Sequence, residues 1–382
     1  MFEQEKATVP IPPVRADGEQ PIQKNTKQSV SDDSDKINDE DYDFEKIQRQ
    51  MERLSDPSFM PTFSMRELYE NVYDSRPPII DGLFYAGTYL FVGAPKVGKS
   101  FLMAQLAYHV SMGYDLWTYS VKKGTVLYLA LEDTQKRLQE RLFRMYGTDS
   151  TENLHFTICA KQLGNGLDEQ LIGFVKEHPD TKLIIIDTLQ KIREAGSEKF
   201  SYATDYDIVG RLKRFADSHH ICLLLVHHTR KQQADDKFDM ISGTNGLLGA
   251  ADGAFLLQKE KRTSDSATLD ISGRDQQDQR LHLTRDLDRL IWNLEKAETE
   301  LWIEPPDPIL EAVAVLVTAE RPEWSGTPTE LVERLGIDMK PNVLSMQLNV
   351  KAGRLLNEHQ VRYESSRSHA GRNIKLTLFA EA

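Results

Sequence analysis

The sequence predicts an α/β fold, with a mainly parallel sheet covered on both faces by helices and a C-terminal winged-helix domain. Three observations predict it. Apolar runs of strand length alternate with helical patterns from residue 88 onward, as in a sheet buried on both sides. The loop Gly93-Ala94-Pro95-Lys96-Val97-Gly98-Lys99-Ser100 stands between the first such strand and the first long helix. Beyond Pro305-Pro306-Asp307-Pro308 the alternation gives way to three helical patterns and a hairpin.

The elements follow in order. Residues 1–43 are polar, with prolines early and acids late, and are expected to be disordered. Residues 31–45 hold eight acids against Lys36. A domain is expected over 44–305. Ser64 and Glu67 have capping-box spacing for a helix start. Strands are expected at 88–92, 125–131, 183–186, 221–226, 253–258 and 267–272. Helices are expected at 100–112, 135–146 and 205–218, with Leu138, Leu142 and Met145 on one side of the second. In the region 306–382, a helix is expected at 309–319. A second starts at the capping box Thr327-Pro328-Thr329-Glu330, and a third covers 342–357. Segments 361–364 and 373–379 then flank a loop at 365–372.

Composition sets limits. The 382 residues carry a net charge of −12, which excludes a general nucleic-acid coat but not a local basic loop or pore. Six Lys or Arg lie between residues 351 and 375, against Glu358 and Glu364. No run of about 18 apolar residues marks a membrane span. The first residues lack a basic and apolar leader, so a cytoplasmic protein is expected. Cys159 and Cys222 sit in apolar segments and are read as reduced core thiols.

The glycine-rich loop has the spacing and context of a phosphate cradle. Its backbone N–H groups and the helix N-terminus face an anion, Lys99 reaches the β- and γ-phosphates, and the Ser100 hydroxyl can ligate Mg²⁺. ATP and Mg²⁺ are therefore the expected ligands, held by residues 93–100 (Gly93, Ala94, Pro95, Lys96, Val97, Gly98, Lys99, Ser100) and Phe101. Asp187 ends an apolar strand, where a carboxylate faces the ligand crevice; it can hold Mg²⁺ or cap a following helix. Glu132 ends the strand before it and is the candidate for activating water, with Asp133 beside it. Both acids would also suit a helix start. His227 and His228 end a further strand; either a γ-phosphate contact or a partly buried histidine fits that position.

The runs Val126-Leu127-Tyr128-Leu129-Ala130-Leu131-Glu132-Asp133, Ile184-Ile185-Ile186-Asp187-Thr188 and Val226-His227-His228-Thr229-Arg230-Lys231 follow the cradle in order. Together they resemble the RepA-type AAA-family ATPases, relatives of the hexameric replicative helicases of the DnaB class. Ile80-Asp81-Gly82-Leu83, Ser242-Gly243-Thr244 and Ser272-Gly273-Arg274-Asp275 also fit. The resemblance covers about 60–305 and implies a RecA-like P-loop NTPase core. It implies Glu132 as the catalytic glutamate, His228 as the γ-phosphate sensor and Arg274 as a finger reaching a neighbour's site, with Lys259, Lys261 and Arg262 as alternatives.

The same resemblance implies a homo-hexamer with single-stranded DNA in a central pore, touched by Arg230, Lys231 and Lys237, although Asp235 and Asp236 offset that charge. A separate primase or initiator is the expected partner. Lys351, Arg354, Arg362, Arg367 and Arg372 would let the winged helix meet duplex DNA; a protein-binding winged helix is the other reading. The implied activity is an ATP-driven helicase replicating a plasmid, phage or integrated element. A non-unwinding RecA-like ATPase that regulates or loads, and a DNA-binding initiator whose P-loop is a switch, are the rivals.

Overall fold

The computed structural model describes residues 48, 51–53, 55–73, 78–193, 202–229, 237–241, 245–261, 263–274, 276–299, 304–368 and 371–379. The expected disorder of 1–43 lies outside them. The chain divides into two units, Met1–Ser64 and Met65–Ala382. In the first, residues 51–53 are helical, and the Arg53 guanidinium lies over the Phe59 ring at 4.6 Å.

The second unit opens with α1 (Met65–Glu70) and the short strands β1 (Pro78–Ile80) and β2 (Phe84–Tyr85). Then follow β3 (Gly87–Gly93), α2 (Lys99–Met112), β4 (Thr125–Ala130), α3 (Gln135–Tyr146), β5 (Leu154–Thr157), α4 (Leu167–Glu177), β6 (Thr181–Asp187), α5 (Tyr202–His219) and β7 (Cys222–His228). The core ends with α6 (Asn245–Ala250), β8 (Gly253–Gln258), β9 (Ser266–Gly273), β10 (Gln279–Arg285) and β11 (Trp292–Ala297). Among the described residues nine strands form one sheet, in the order β11-β10-β9-β8-β3-β7-β6-β4-β5. Strands β5, β4, β6, β7, β3 and β8 are parallel, and β9 to β11 extend the sheet antiparallel.

The continuous apolar runs are explained by burial on both faces. Phe91, Tyr128, Ile185, Leu224 and Phe255 pack on one side with Leu102, Met103 and Leu106 of α2. Their neighbours in sequence, Leu90, Leu129, Ile184, Leu225 and Leu256, pack on the other with Leu171, Leu212 and Leu247. Alternation of side chains along a strand separates these two cores.

After Asp307, whose carboxylate caps α7 (Pro308–Ala314), come β12 (Glu323–Gly326), α8 (Pro328–Leu335), α9 (Pro341–His359), β13 (Val361–Ser368) and β14 (Gly371–Leu378). The strands pair in the order β12-β14-β13 around a separate core that includes Leu310, Leu331, Leu348 and Ile374. The expected capping box of α8 forms in full: Thr327 and Glu330 each accept from the other's backbone N–H.

The structure corrects several expectations. Strands β5, β10, β11 and β12 and helix α4 stand where no element was expected. The helix expected at 309–319 stops at Ala314. The hairpin strands run on to Ser368 and resume at Gly371, so most of the expected loop 365–372 is paired sheet. Cys222 is a buried thiol, but Cys159 is exposed, because the chain leaves the sheet after Thr157. No helix among the described residues is long and apolar enough to cross a membrane.

Candidate nucleotide-binding site

Parallel register brings the chemistry to one edge. Gly93 at the end of β3 pairs with His228 at the end of β7, and Ala130 of β4 pairs with Asp187 of β6. Strand β10 runs in the same sense as β8, so its last residue, Arg285, reaches the same edge. Between these ends lies a cleft of about 550 Å³, lined by the loop, Phe101, Glu132, Asp133, Asp187, Thr188, His228 and the arginines 137, 141 and 285. That volume is in the range of small-molecule sites.

The loop can be built only with glycine at two places. A Cβ on Gly93 would stand 2.6 Å from the Leu257 carbonyl oxygen, and one on Gly98 would stand 2.8 Å from the Trp292 ring. Gly98 also holds φ at +109°, a left-handed value that side chains disfavour. Trp292 is fixed in turn. Gln105 of α2 exchanges two hydrogen bonds with its backbone, at 2.9 and 2.8 Å, and the Trp117 indole donates to its carbonyl. Strand β11 thus braces the cradle from behind.

Lys99 is buried, and its ammonium donates to the carbonyls of Gly93 (2.8 Å) and Ala94 (3.1 Å). It also lies 3.3 Å from Nδ1 of His228. An ammonium only donates, so a bond between the two requires the neutral tautomer whose Nδ1 is bare. Burial, only partly offset by Asp187 and Glu132, lowers the lysine from 10.5 to about 8. His228 is held below its ordinary value by burial and then by Lys99.

Ser100 Oγ donates to Asp187 Oδ2 at 2.7 Å, and the buried Tyr128 hydroxyl donates to the same oxygen at 2.9 Å. Burial raises the Asp187 carboxyl, and these two bonds oppose the rise. Glu132 Oε1 accepts from Thr188 Oγ1 at 3.3 Å, so the two strand-end acids belong to adjoining networks. Asp133 does not share that position: it pairs with Arg141 (2.7 Å) and Arg137 (3.3 Å).

Sequence reasoning missed Arg137, Arg141, Arg285 and Tyr128. Arg285 and Arg141 both lie over the Phe101 ring, at 4.2 and 5.0 Å. The alternating pattern Leu281-His282-Leu283-Thr284 was the signal for a half-buried strand whose end reaches the cleft. Other candidates stand elsewhere. Antiparallel pairing of Gly253 with Gly273 carries Arg274 to the opposite edge of the sheet, where its guanidinium meets the Gly249 carbonyl. His227 is buried, and Lys259 lines a second cavity of about 290 Å³ behind Ala94–Val97. Arg230, Lys231 and Arg262 lie outside the described residues. Lys237 pairs with Asp270 at 3.0 Å.

The basic residues of the C-terminal region are mostly engaged within the protein. Lys351 meets the carboxylate of Asp307, and Arg354 pairs with Glu304 (2.7 Å) and Glu358 (2.5 Å). Arg372 donates to the Glu70 carbonyl at 3.2 Å, and Asn349 to that of Tyr69 at 2.9 Å; both serve carbonyls left over at the end of α1. Arg367 is 75% exposed, 3.9 Å from Glu70. Helix α9 thus turns Lys351 and Arg354, two of the residues expected to meet DNA, toward acids of this chain.

The site fits a Mg-nucleotide. Glycines hold the cradle open, and a hydroxyl and a carboxylate supply the hard oxygen atoms that Mg²⁺ takes alongside phosphate. A family model described as an AAA domain matches residues 55–234. No curated protein matches the chain. Among solved structures it is similar to an ATPase domain, at 17% identity and TM-score 0.47, over 69% of this chain and 100% of that one. It is also similar to a DnaB-like replicative helicase described with its interactions with primase, at 16% identity and TM-score 0.49, over 65% and 71%. A KaiC-like protein from Pyrococcus horikoshii aligns at 14% identity and TM-score 0.41, over 59% and 99%. Strand β7 separates the cradle strand from the Asp187 strand. The matched AAA-domain model, residues 55–234, spans the cradle, Glu132, Asp187 and His228.

Proposed function

We propose that the chain is an ATP-hydrolysing, ring-forming DNA helicase or translocase that serves replication of a plasmid, phage or integrated mobile element. The observation that carries the ATPase part is the convergence of Lys99, Ser100, Asp187, Glu132 and His228 at one strand-end edge. The loop N–H groups and Lys99 bind the triphosphate. Ser100 and Asp187 would hold Mg²⁺, which when bound would neutralise phosphate charge. Glu132 orients water and takes its proton as the γ-phosphoryl group leaves. The ammonium of Lys99 exchanges its loop carbonyls for phosphate oxygens, and neutral His228, released from Lys99, reports the γ-phosphate. Its cation-binding side is set by the carboxylate at the end of β6.

Arg274 lies across the sheet from its own cleft, so its role as a finger is in a neighbouring subunit's site, and a homo-hexamer provides that neighbour. Single-stranded DNA would lie in the pore against Arg230 and Lys231. We assign 44–305 to the ATPase domain and 306–382 to a winged helix, a reading supported by the strand order β12-β14-β13 around three helices. Duplex contact then falls first to the exposed Arg367, with Arg372 opposite it in the hairpin, and a separate primase or initiator is the partner. Forked-substrate unwinding and ATPase rates with and without single-stranded DNA test this. ATP-dependent strand separation with stimulated turnover is expected, and neither would reject it.

One observation favours a second reading, a RecA-like ATPase that regulates or loads without unwinding. Lys237, Lys351 and Arg354, expected to meet DNA, are committed to internal acids. DNA-independent ATPase activity without unwinding would select that reading.

A further inference from the structure

Tyr128 is out of keeping with its strand. Strand β4 is Thr-Val-Leu-Tyr-Leu-Ala, buried at every position. A phenol in such a place costs free energy unless its hydroxyl is bonded, and a phenylalanine would fill the same volume without that demand. The hydroxyl instead donates to Asp187 Oδ2 across to the next strand, at 2.9 Å. Ser100 Oγ donates to that same oxygen at 2.7 Å. Both donors thus act on Oδ2, and Oδ1 takes no part in either bond.

We propose that Tyr128 is a positioning residue for the cation-holding carboxylate: its hydroxyl fixes the rotation of Asp187 so that one carboxylate oxygen is presented to the Mg²⁺ of the bound nucleotide. The proposal rests on the reading of Ser100 and Asp187 as the cation's ligands. Ser100, being a ligand itself, does not serve as a permanent anchor for Asp187. Tyr128 lies behind the carboxylate within the core and is free of that conflict. A hydrogen bond to an ionised acceptor is among the stronger ones available to it.

The test is Tyr128→Phe in the full chain, which keeps the ring and removes one oxygen. Binding of a fluorescent ATP analogue is titrated with Mg²⁺ and, separately, in EDTA. We expect EDTA affinity to stay within about twofold. The Mg²⁺ concentration for half-maximal enhancement should rise about 10- to 100-fold, the usual effect of losing an outer partner of a metal ligand. In an Asp187→Asn background, Tyr128→Phe should add no further shift, because the two act as one unit. Thermal unfolding is measured on each variant; lost stability with an unmoved Mg²⁺ midpoint makes Tyr128 merely structural and overturns the proposal. So does an equal shift in the Asp187→Asn background. Should wild-type protein bind nucleotide without any response to Mg²⁺, the ligand reading itself fails and the proposal falls with it.

Discussion

Lys99 sits where its charge is least comfortable until phosphate arrives. In the free protein its ammonium titrates near pH 8, because burial outweighs the attraction of Asp187 and Glu132. A triphosphate favours the charged form, so binding above that pH must take up a proton. Nucleotide affinity should therefore be flat below pH 8 and fall by up to about tenfold per unit above it. Calorimetry in buffers of different ionisation enthalpy should detect the proton uptake; affinity unchanged to pH 9.5 would contradict the assignment. This residue-level chemistry was the most legible part of the sequence. Gly93, Gly98, Lys99 and Ser100 are consecutive or nearly so, and their roles follow from local spacing. Tyr128 was not legible, because an aromatic in an apolar run reads as core until its hydroxyl is seen against Asp187, 59 positions away.

At the scale of elements, legibility followed burial. Strands β3, β4, β6 and β7 lie in the sheet interior and announce themselves as apolar runs. Strands β10 and β11 are antiparallel and half-exposed, and a few scattered apolar residues, Leu281, Leu283, Trp292 and Leu294, mark their inward face. Yet β11 braces the cradle. Trp292→Ala should cost about 3–5 kcal/mol in denaturant unfolding, as large-to-small core changes do, and should weaken nucleotide binding as well. Stability within about 1 kcal/mol of wild type would refute that brace. In the C-terminal region the capping box was readable from four residues. Thr327→Ala should lower stability by about 1 kcal/mol, measured by the same unfolding. The pairs of Lys351 with Asp307 and of Arg354 with Glu304 were not readable, since those acids lie more than forty residues earlier; only the Arg354–Glu358 pair has a helical i,i+4 spacing. Lys351→Met should lower the melting temperature and leave duplex affinity unchanged; anisotropy with a labelled duplex checks the second half.

For the whole molecule, the decisive geometry is the placement of Arg274 at the strand-end edge opposite its own cleft. A finger there acts only between copies. Arg274→Ala and Lys99→Ala proteins, each inactive alone, should regain ATP hydrolysis when mixed, because one supplies the arginine and the other the cradle. Persistent inactivity in a mixture that co-assembles would remove Arg274 from the site. Beneath this lies the claim that the strand-end cleft hydrolyses ATP. Its most direct test compares Mg-ATP binding and turnover in wild-type and Glu132→Gln protein. Similar affinity is expected in both, with turnover slowed at least about 100-fold in the variant. Equal turnover, or a wild-type protein that binds no Mg-ATP, would contradict it.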